Sequence, residues 1–180
     1  MTILDQLHQD HVNYSKLLDL LDEEIRLMET PDGNPDLYKM YMIMKYMHHY
    51  PDIYHHPHEE IIFNHLAGVD FPEKEIINEI AKEHDHLTRL GGQLEDILRN
   101  IINCNIYPKD KIIEPARKYI TSLKQHMDIE EGKIFPVIKQ LMKKDDWEAV
   151  QNQVEHIHDP LFGEVISDEY SSIYESISKN

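Results

Sequence analysis

Apolar residues recur every three or four positions along most of the chain, and this spacing predicts α-helices. The first run covers residues 3–29, and Thr2 with Asp5 nearby predicts a cap at its start. The segment TPDGNPD, residues 30–36, packs two prolines, a glycine and an asparagine into seven positions, so the helix is expected to end there. The first predicted element is therefore one long amphipathic helix followed by a turn.

The same spacing predicts three further long helices, at about residues 36–66, 74–103 and 111–143. Pro51 and Pro57 each remove a backbone donor, which predicts a kink or a short break near Tyr50 and Pro51. The Gly91–Gly92 pair is expected to be a weak point in the third long helix, because glycine is a poor helix former. A last amphipathic helix is expected at about residues 162–177.

Four long helices joined by short connections predict an antiparallel up-down four-helix bundle. No segment alternates with the period of a β-strand for long, so the predicted fold class is all-α. We expect a single domain over residues 1–180, with a core bundle at 3–143 and a helical tail at 144–180. The tail supplies the additional C-terminal helix, which is expected to pack across the bundle.

The composition of the chain excludes several classes of partner. The formal net charge is −16 and the lysines and arginines form no basic stripe, so neither nucleic acid nor an anionic membrane is an expected partner. No window approaches the roughly 18 apolar residues of a membrane span, and a cytoplasmic location is expected. The chain has thirteen histidines and one cysteine, so imidazole and carboxylate groups are the expected ligands of any metal. That cysteine, Cys104, has no histidine base at catalytic spacing and is not expected to act as a nucleophile.

Two short segments share a pattern of polar residues. HHPHEEIIF, residues 55–63, and HMDIEEGKIF, residues 126–135, both have a histidine, three residues, two glutamates and then an apolar run with a phenylalanine. The second half of the bundle therefore echoes the first, and the polar residues are repeated with it. Six residues take part in this repeat at separations of 71 or 73 positions: His11, His55, Glu59, His84, His126 and Glu130.

These six residues are suited to hold metal inside the bundle. A histidine and a glutamate four positions apart lie about 40° apart on one helix face, so both can reach one ion. Apolar neighbours such as Ile62 and Leu123 indicate that this face points into the core, where an ionised carboxylate is costly unless a cation compensates it. Four helices with one or two ligands each can hold two ions, with the carboxylates bridging between them. Imidazole together with carboxylate favours iron, with manganese as the alternative.

These residues also carry a resemblance to a known family. The chain is similar to the hemerythrin-like, or HHE, cation-binding domains over roughly residues 3–143. The resemblance implies a four-helix bundle around a non-haem di-iron centre, with His11, His55, His84 and His126 as ligands and Glu59 and Glu130 as bridges. Its most specific parts are LHQDH (7–11), HHPHEEIIF (55–63), KEHDHL (82–87) and HMDIEEGKIFP (126–136), and HDPLFG (158–163) is similar to the tail of a bacterial subgroup.

The chain departs from the oxygen-carrying hemerythrins in its third and fourth long helices. Those proteins have two histidines a turn apart on the third helix and an aspartate five residues after the histidine of the fourth. Here Ile80 and Thr88 are the residues four positions from His84. His126 is followed four positions later by Glu130. In both features the chain is more similar to the bacterial HHE proteins.

A fifth histidine ligand must therefore come from elsewhere in the chain. His56 is the first candidate, because some HHE proteins also use the residue next to the histidine of the second helix. His49, one heptad before His56, is the second candidate. His48 stands in the same relation to His55 and is the third.

A centre with five or fewer histidines and two bridging carboxylates leaves at least one coordination position open. We therefore predict a protein that binds O2 reversibly for storage or sensing, rather than an enzyme, with O2 or NO as its small ligand. The alternative is redox chemistry at the same centre: handling of NO or peroxide, or repair of damaged iron centres, which the resemblance to repair-type HHE proteins implies. The sequence identifies no protein partner.

Two other interpretations compete with a hemerythrin-like centre. Glu83-x-x-His86 and Glu155-x-x-His158 lie 72 positions apart, and Glu-x-x-His pairs also occur at ferritin-like oxidase sites. The second pair follows the fourth long helix and precedes Pro160, which disfavours an approach to His86 across the core. The other interpretation is a structural bundle with incidental histidines.

Overall fold

The computed structural model describes residues 2–72, 74–103, 106–155 and 158–178. No β-strand occurs among these residues, and the predicted all-α fold is confirmed. None of the described helices is long and apolar enough to cross a membrane. The helices are α1 Ile3–Glu29, α2 Leu37–Tyr50, α3 His56–Leu66, α4 Lys74–Ile102, α5 Asp110–Ile129, α6 Phe135–Leu141, α7 Lys144–Gln151 and α8 Ser171–Ser178.

Two π-helical turns join consecutive helices without a break. Pro51–His55 joins α2 to α3, and Glu130–Ile134 joins α5 to α6. Pro51 has no N–H to donate, and the helix accommodates it by widening one turn, closed by the His56 N–H donating to the Pro51 carbonyl. The kink or break predicted near Tyr50 and Pro51 is therefore a π turn.

The long helices form a closed ring of neighbours. Helix α1 contacts α2 and α5, and α4 contacts α2 and α5 on the other side, as in a four-helix bundle. The predicted cap on α1 is present, since the Asp5 N–H donates to Thr2 Oγ1 and the Thr2 N–H donates to Asp5 Oδ2. Helix α8 packs against α1 and α2. The boundary between core bundle and tail at residue 143 stays a prediction.

The apolar core consists of two clusters separated along the bundle. One contains Leu17, Leu18, Ile43 and Leu94, and the other contains Leu7, Ile62, Ile80 and Ile134, all at most 1% exposed. Burying each such side chain contributes about 1.5–3 kcal/mol, so the two clusters fix the helices on either side of the layer between them. The predicted polar residues lie in that layer.

Three details of the sequence-based expectation need correction. The fourth long helix ends at Leu141 rather than Lys143. The last helix begins after residue 167 rather than at 162, because Asp159 accepts hydrogen bonds from the backbone N–H groups of Leu161 and Phe162 and so holds these residues in a loop. The Gly91–Gly92 pair does not interrupt α4. Cys104 lies outside the described residues.

Candidate metal centre

The structure brings all seven predicted ligands together in the layer between the two apolar clusters. Six of them are buried, and His56 is nearly so, with its side chain 12% exposed. They form a two-histidine group, His11 and His55, and a three-histidine group, His56, His84 and His126, which share Glu59 and Glu130. One potential ligand atom from each of His11, His55, Glu59 and Glu130 lies within 4.8 Å of the other three. The same limit holds among one ring nitrogen each of His56, His84 and His126.

Each of the two shared glutamates directs one carboxylate oxygen at the two-histidine group and the other oxygen at the three-histidine group. Glu59 Oε1 lies 3.5 Å from His55 Nε2, and Glu59 Oε2 lies 3.3 Å from His84 Nε2. Glu130 also faces both groups. Its Oε2 lies 3.3 Å from His11 Nε2, and its Oε1 lies 3.2 Å from His126 Nε2. A carboxylate that bridges two ions has this arrangement.

Several polar atoms of the centre have no hydrogen-bond partner among the described residues. They are both carboxylate oxygens of Glu59 and of Glu130, and the Nε2 atoms of His84 and His126. The Nε2 atom of His11 faces that of His55 at 3.1 Å. Buried polar atoms without partners are costly, and a divalent cation in each group would satisfy them. The residues present therefore fit a pair of metal ions.

Four of the five histidines have a carboxylate outside the centre at their other ring nitrogen. Such a carboxylate accepts the Nδ1–H and leaves the Nε2 lone pair directed at the centre, which is the usual orientation of a metal-binding imidazole. We call these the outer carboxylates. The pairs are Asp10 with His55 at 3.1 Å, Asp52 with His56 at 2.9 Å, Glu83 with His126 at 3.2 Å and Glu131 with His11 at 2.8 Å.

Comparison with known proteins agrees with this centre. A family model for the hemerythrin HHE cation-binding domain matches residues 2–159. The chain belongs to the hemerythrin HHE family. Neither the curated proteins nor the solved structures gave a match. Hemerythrin HHE domains bind metal cations, and the two histidine groups with their shared glutamates are where this hemerythrin-like chain could hold them.

The sequence around Glu59 explains how one helix of this hemerythrin-like chain serves both groups. His55 and His56 precede Glu59 by four and three positions, so they lie on either side of it on the same helix face. His55 joins His11, whereas His56 stacks on His84 with ring centroids 4.0 Å apart. Of the three candidates for the fifth histidine ligand, His56 is the one that clusters with His84 and His126, and its role as a ligand stays a prediction.

The carboxylates in and around the centre raise the pKa of two of its histidines. Burial lowers the pKa of His55, but the charge of Glu59 and the hydrogen bond with Asp10 outweigh it and raise that pKa to about 10. Burial also lowers the pKa of His84, but the nearby carboxylates of Glu130 and Glu59 outweigh it and raise that pKa to about 9. Burial and the neighbouring Glu130 raise the pKa of Glu59, but the surrounding histidines lower it to about 2.

The other candidate residues do not join the centre. His48 and His49 lie against Glu95 of α4 and form a ligand group separate from the other two, although His48 also lines a cavity beside the centre. His86 is exposed, and His158 Nε2 donates to the Val165 carbonyl in the tail at 2.7 Å. Among the described residues no metal-ligating cluster contains the two Glu-x-x-His pairs, so the ferritin-like interpretation gains no support.

The outer carboxylates were not identified from the sequence. One signal was present, because Asp52 precedes His56 by four positions, the same spacing that singled out the histidine and glutamate pairs. The other three, Asp10, Glu83 and Glu131, directly precede or follow a predicted ligand, and adjacency alone does not predict which face a helical residue occupies.

Proposed function

We propose that this hemerythrin-like chain holds two non-haem iron ions, one in each histidine group, and binds O2 reversibly for storage or sensing. Imidazole and carboxylate donors without a thiolate favour iron, with manganese as the alternative. Bound iron would supply a redox-active position open to a diatomic molecule. The two-histidine group offers one imidazole fewer than the other, so it is where that position is expected.

A small cavity beside the centre is the observation that carries this proposal. It borders both histidine groups, and its lining includes apolar side chains such as Leu87, Leu123 and Met127 together with His11, His55, His56 and His126. The space open to the centre of a water-sized sphere is about 20 Å³, which is room for about one molecule of that size. Such a cavity suits O2 or NO and excludes an organic substrate.

Tyr14 gives the same cavity a hydrogen-bond donor. Its ring lies edge-on to His55, with centroids 5.3 Å apart, and it lines the cavity. Its hydroxyl group is buried and has no hydrogen-bond partner among the described residues. A donor in an apolar cavity stabilises a polarised diatomic ligand more strongly than it would in water. The tyrosines of the second long helix, Tyr46, Tyr50 and Tyr54, pack in or beside the core.

Metal content and the visible spectrum test the proposal. The protein is reduced without oxygen, its metals are counted, and it is then exposed to air and returned to an oxygen-free atmosphere. We expect about two irons per chain and an absorption band that appears with O2 and disappears when O2 is removed. His55→Ala should lose the band and at least one iron, whereas His86→Ala, at an exposed position, should keep both. A chain that retains no iron would contradict the proposal.

Tyr14→Phe tests the role of the cavity donor. Loss of one hydrogen bond of about 0.5–1.5 kcal/mol should weaken O2 binding roughly 2- to 10-fold and leave the iron content unchanged. Tyr50→Phe is the matched control, because Tyr50 is buried on the same side of the bundle but does not line the cavity. Equal O2 affinity in Tyr14→Phe and the unmodified protein would remove Tyr14 from the proposal.

A row of tyrosines favours redox chemistry as the second candidate function. Tyr14 lies next to His55, and Tyr46, Tyr50 and Tyr54 follow it with successive ring centroids 6.5, 5.1 and 5.3 Å apart. Closely spaced phenol rings could carry an electron between the centre and the edge of the bundle. Rapid mixing of the reduced protein with O2, NO or peroxide separates the two functions, since a carrier keeps its adduct and a redox protein oxidises at once.

A further inference from the structure

A third group of metal-ligating side chains lies outside the buried centre, where α2 packs against α4. His48 Nδ1 lies 2.7 Å and His49 Nε2 lies 3.2 Å from the same oxygen, Glu95 Oε2. The three atoms lie within 4.8 Å of one another. Adjacent helical residues point about 100° apart, yet here both imidazoles converge on one carboxylate of the facing helix.

The surroundings of this group support a site for a cation. Glu95 is only 4% exposed, and a buried carboxylate needs compensation. Arg99 compensates it weakly, because its Nη1 lies 3.6 Å from the other oxygen, Oε1, and its side chain is 51% exposed. Oxygen Oε2 therefore faces the two imidazoles. An ion between these three atoms would meet two nitrogen donors and one carboxylate oxygen.

Glycine at position 92 makes room for the first imidazole of the group. A Cβ atom there would lie 3.1 Å from His48 Nε2 and 3.2 Å from His48 Cε1. The ring of His48 therefore lies directly against the backbone of α4, with its Nδ1 turned to Glu95 one turn further along that helix. The Gly91–Gly92 pair, expected from the sequence to weaken α4, serves close packing at this point.

We propose that His48, His49 and Glu95 form a mononuclear site for a divalent transition cation such as Zn(II), separate from the buried centre. Two histidines and one glutamate are a ligand set that zinc uses while keeping a position open to water. Nitrogen donors favour zinc or copper over magnesium or calcium. The His49 side chain is 58% exposed, so the open position faces solvent and the ion can exchange. The site depends neither on iron nor on O2 binding at the buried centre.

A thiolate at position 49 provides a direct test with Co(II) as the probe. In His49→Cys the full-length protein, with its buried centre already loaded with iron, should show a near-ultraviolet band from thiolate bound to Co(II), saturating at one equivalent. The unmodified protein, which contains only Cys104, and His65→Cys should not show it. His65 is the matched control, because its Nε2 atom lies 2.9 Å from Asp146 Oδ1 without a second imidazole in the group. Absence of the band in His49→Cys would overturn the proposal.

Zinc counting tests the same site without a new ligand. After equilibrium dialysis against Zn(II), His49→Asn should bind one zinc fewer per chain than the unmodified protein, and His65→Asn should bind the same number. Glu95→Gln should weaken that one zinc by more than the roughly 10- to 100-fold that loss of an outer-shell partner costs. Equal zinc content in His49→Asn and the unmodified protein would contradict the assignment, whatever metals the buried centre holds.

Discussion

The two halves of the metal centre differ at one position of an otherwise repeated pattern. In the first half His55 and His56 precede Glu59, and in the second half His126 and Met127 precede Glu130 at the same spacings. Methionine thus stands where the first half has its extra histidine. The two-histidine group lacks an imidazole for this reason, and Met127 lines the cavity beside it. A single residue difference between repeats is enough to give the two histidine groups unlike surroundings.

Glu130→Gln should have the largest effect, because it acts on both halves at once. The substitution keeps the size of the side chain but removes its negative charge. It also replaces one carboxylate oxygen by an amide nitrogen, so that one of the two histidine groups no longer faces an oxygen ligand. We expect metal content to fall from about two ions per chain to near zero, measured by mass spectrometry of the dialysed protein. Glu60→Gln, at the exposed neighbour of Glu59, should leave both ions in place.

Met127→His should remove the difference between the halves. A histidine there repeats the arrangement of His56 beside Glu59, so it should fill the position left open in the two-histidine group. We expect about two irons per chain and loss of the reversible spectral change with O2. If O2 still binds with unchanged affinity, the open position does not lie beside Met127.

Asp10→Asn and Asp52→Asn compare the outer carboxylates of the two halves. Each change weakens the orientation of one ligand, His55 in the first case and His56 in the second. We expect metal affinity to fall roughly 10- to 100-fold, at one ion in each variant. The larger loss is expected in Asp10→Asn, because Asp10 is 1% exposed whereas the Asp52 side chain is 30% exposed and partly screened by water. Competition with a chelator of known affinity measures both.

The last prediction concerns the effect of pH on the metal-free chain. Because the pKa of His55 is raised to about 10, its contribution to the free energy of unfolding is fully present below its ordinary pKa of 6.5 and is lost as pH rises through about 10. The metal-free chain should therefore lose stability over this interval. Metal ions must displace the same protons, so metal affinity should rise over it. Thermal unfolding with and without metal, at several pH values, checks that the two trends have opposite signs.

The fold and six of the seven clustered residues could be predicted because both depend on helical periodicity, whereas His56 was expected from the resemblance to HHE domains. The spacing of four between His55 and Glu59, and its repeat at His126 and Glu130, fixes which side chains share a face before any tertiary contact is known. Their burial follows from the apolar residues on the same face. The all-α fold and the capped start of α1 were predicted for the same reason.

The remaining features depend on contacts between distant segments. Tyr14 fitted the apolar pattern of α1, and only the packing of α1 against the other helices places Tyr14 at the cavity. The pairing of Glu131 with His11 joins residues 120 positions apart. The late start of the last helix arises from hydrogen bonds to Asp159, which helical periodicity does not detect. These contacts are properties of the assembled bundle.

The outer carboxylates also determine the net charge around the centre. Together with the two shared glutamates they place six negative charges around it. Two Fe(II) ions carry four positive charges and two Fe(III) ions carry six, so only the oxidised pair brings the assembly to neutrality. Asp10 contributes most, because it is buried and acts through a low dielectric. If the proposed iron ions are held here, the groups that orient the histidines would also lower their reduction potential, and Asp10→Asn should shift it upward.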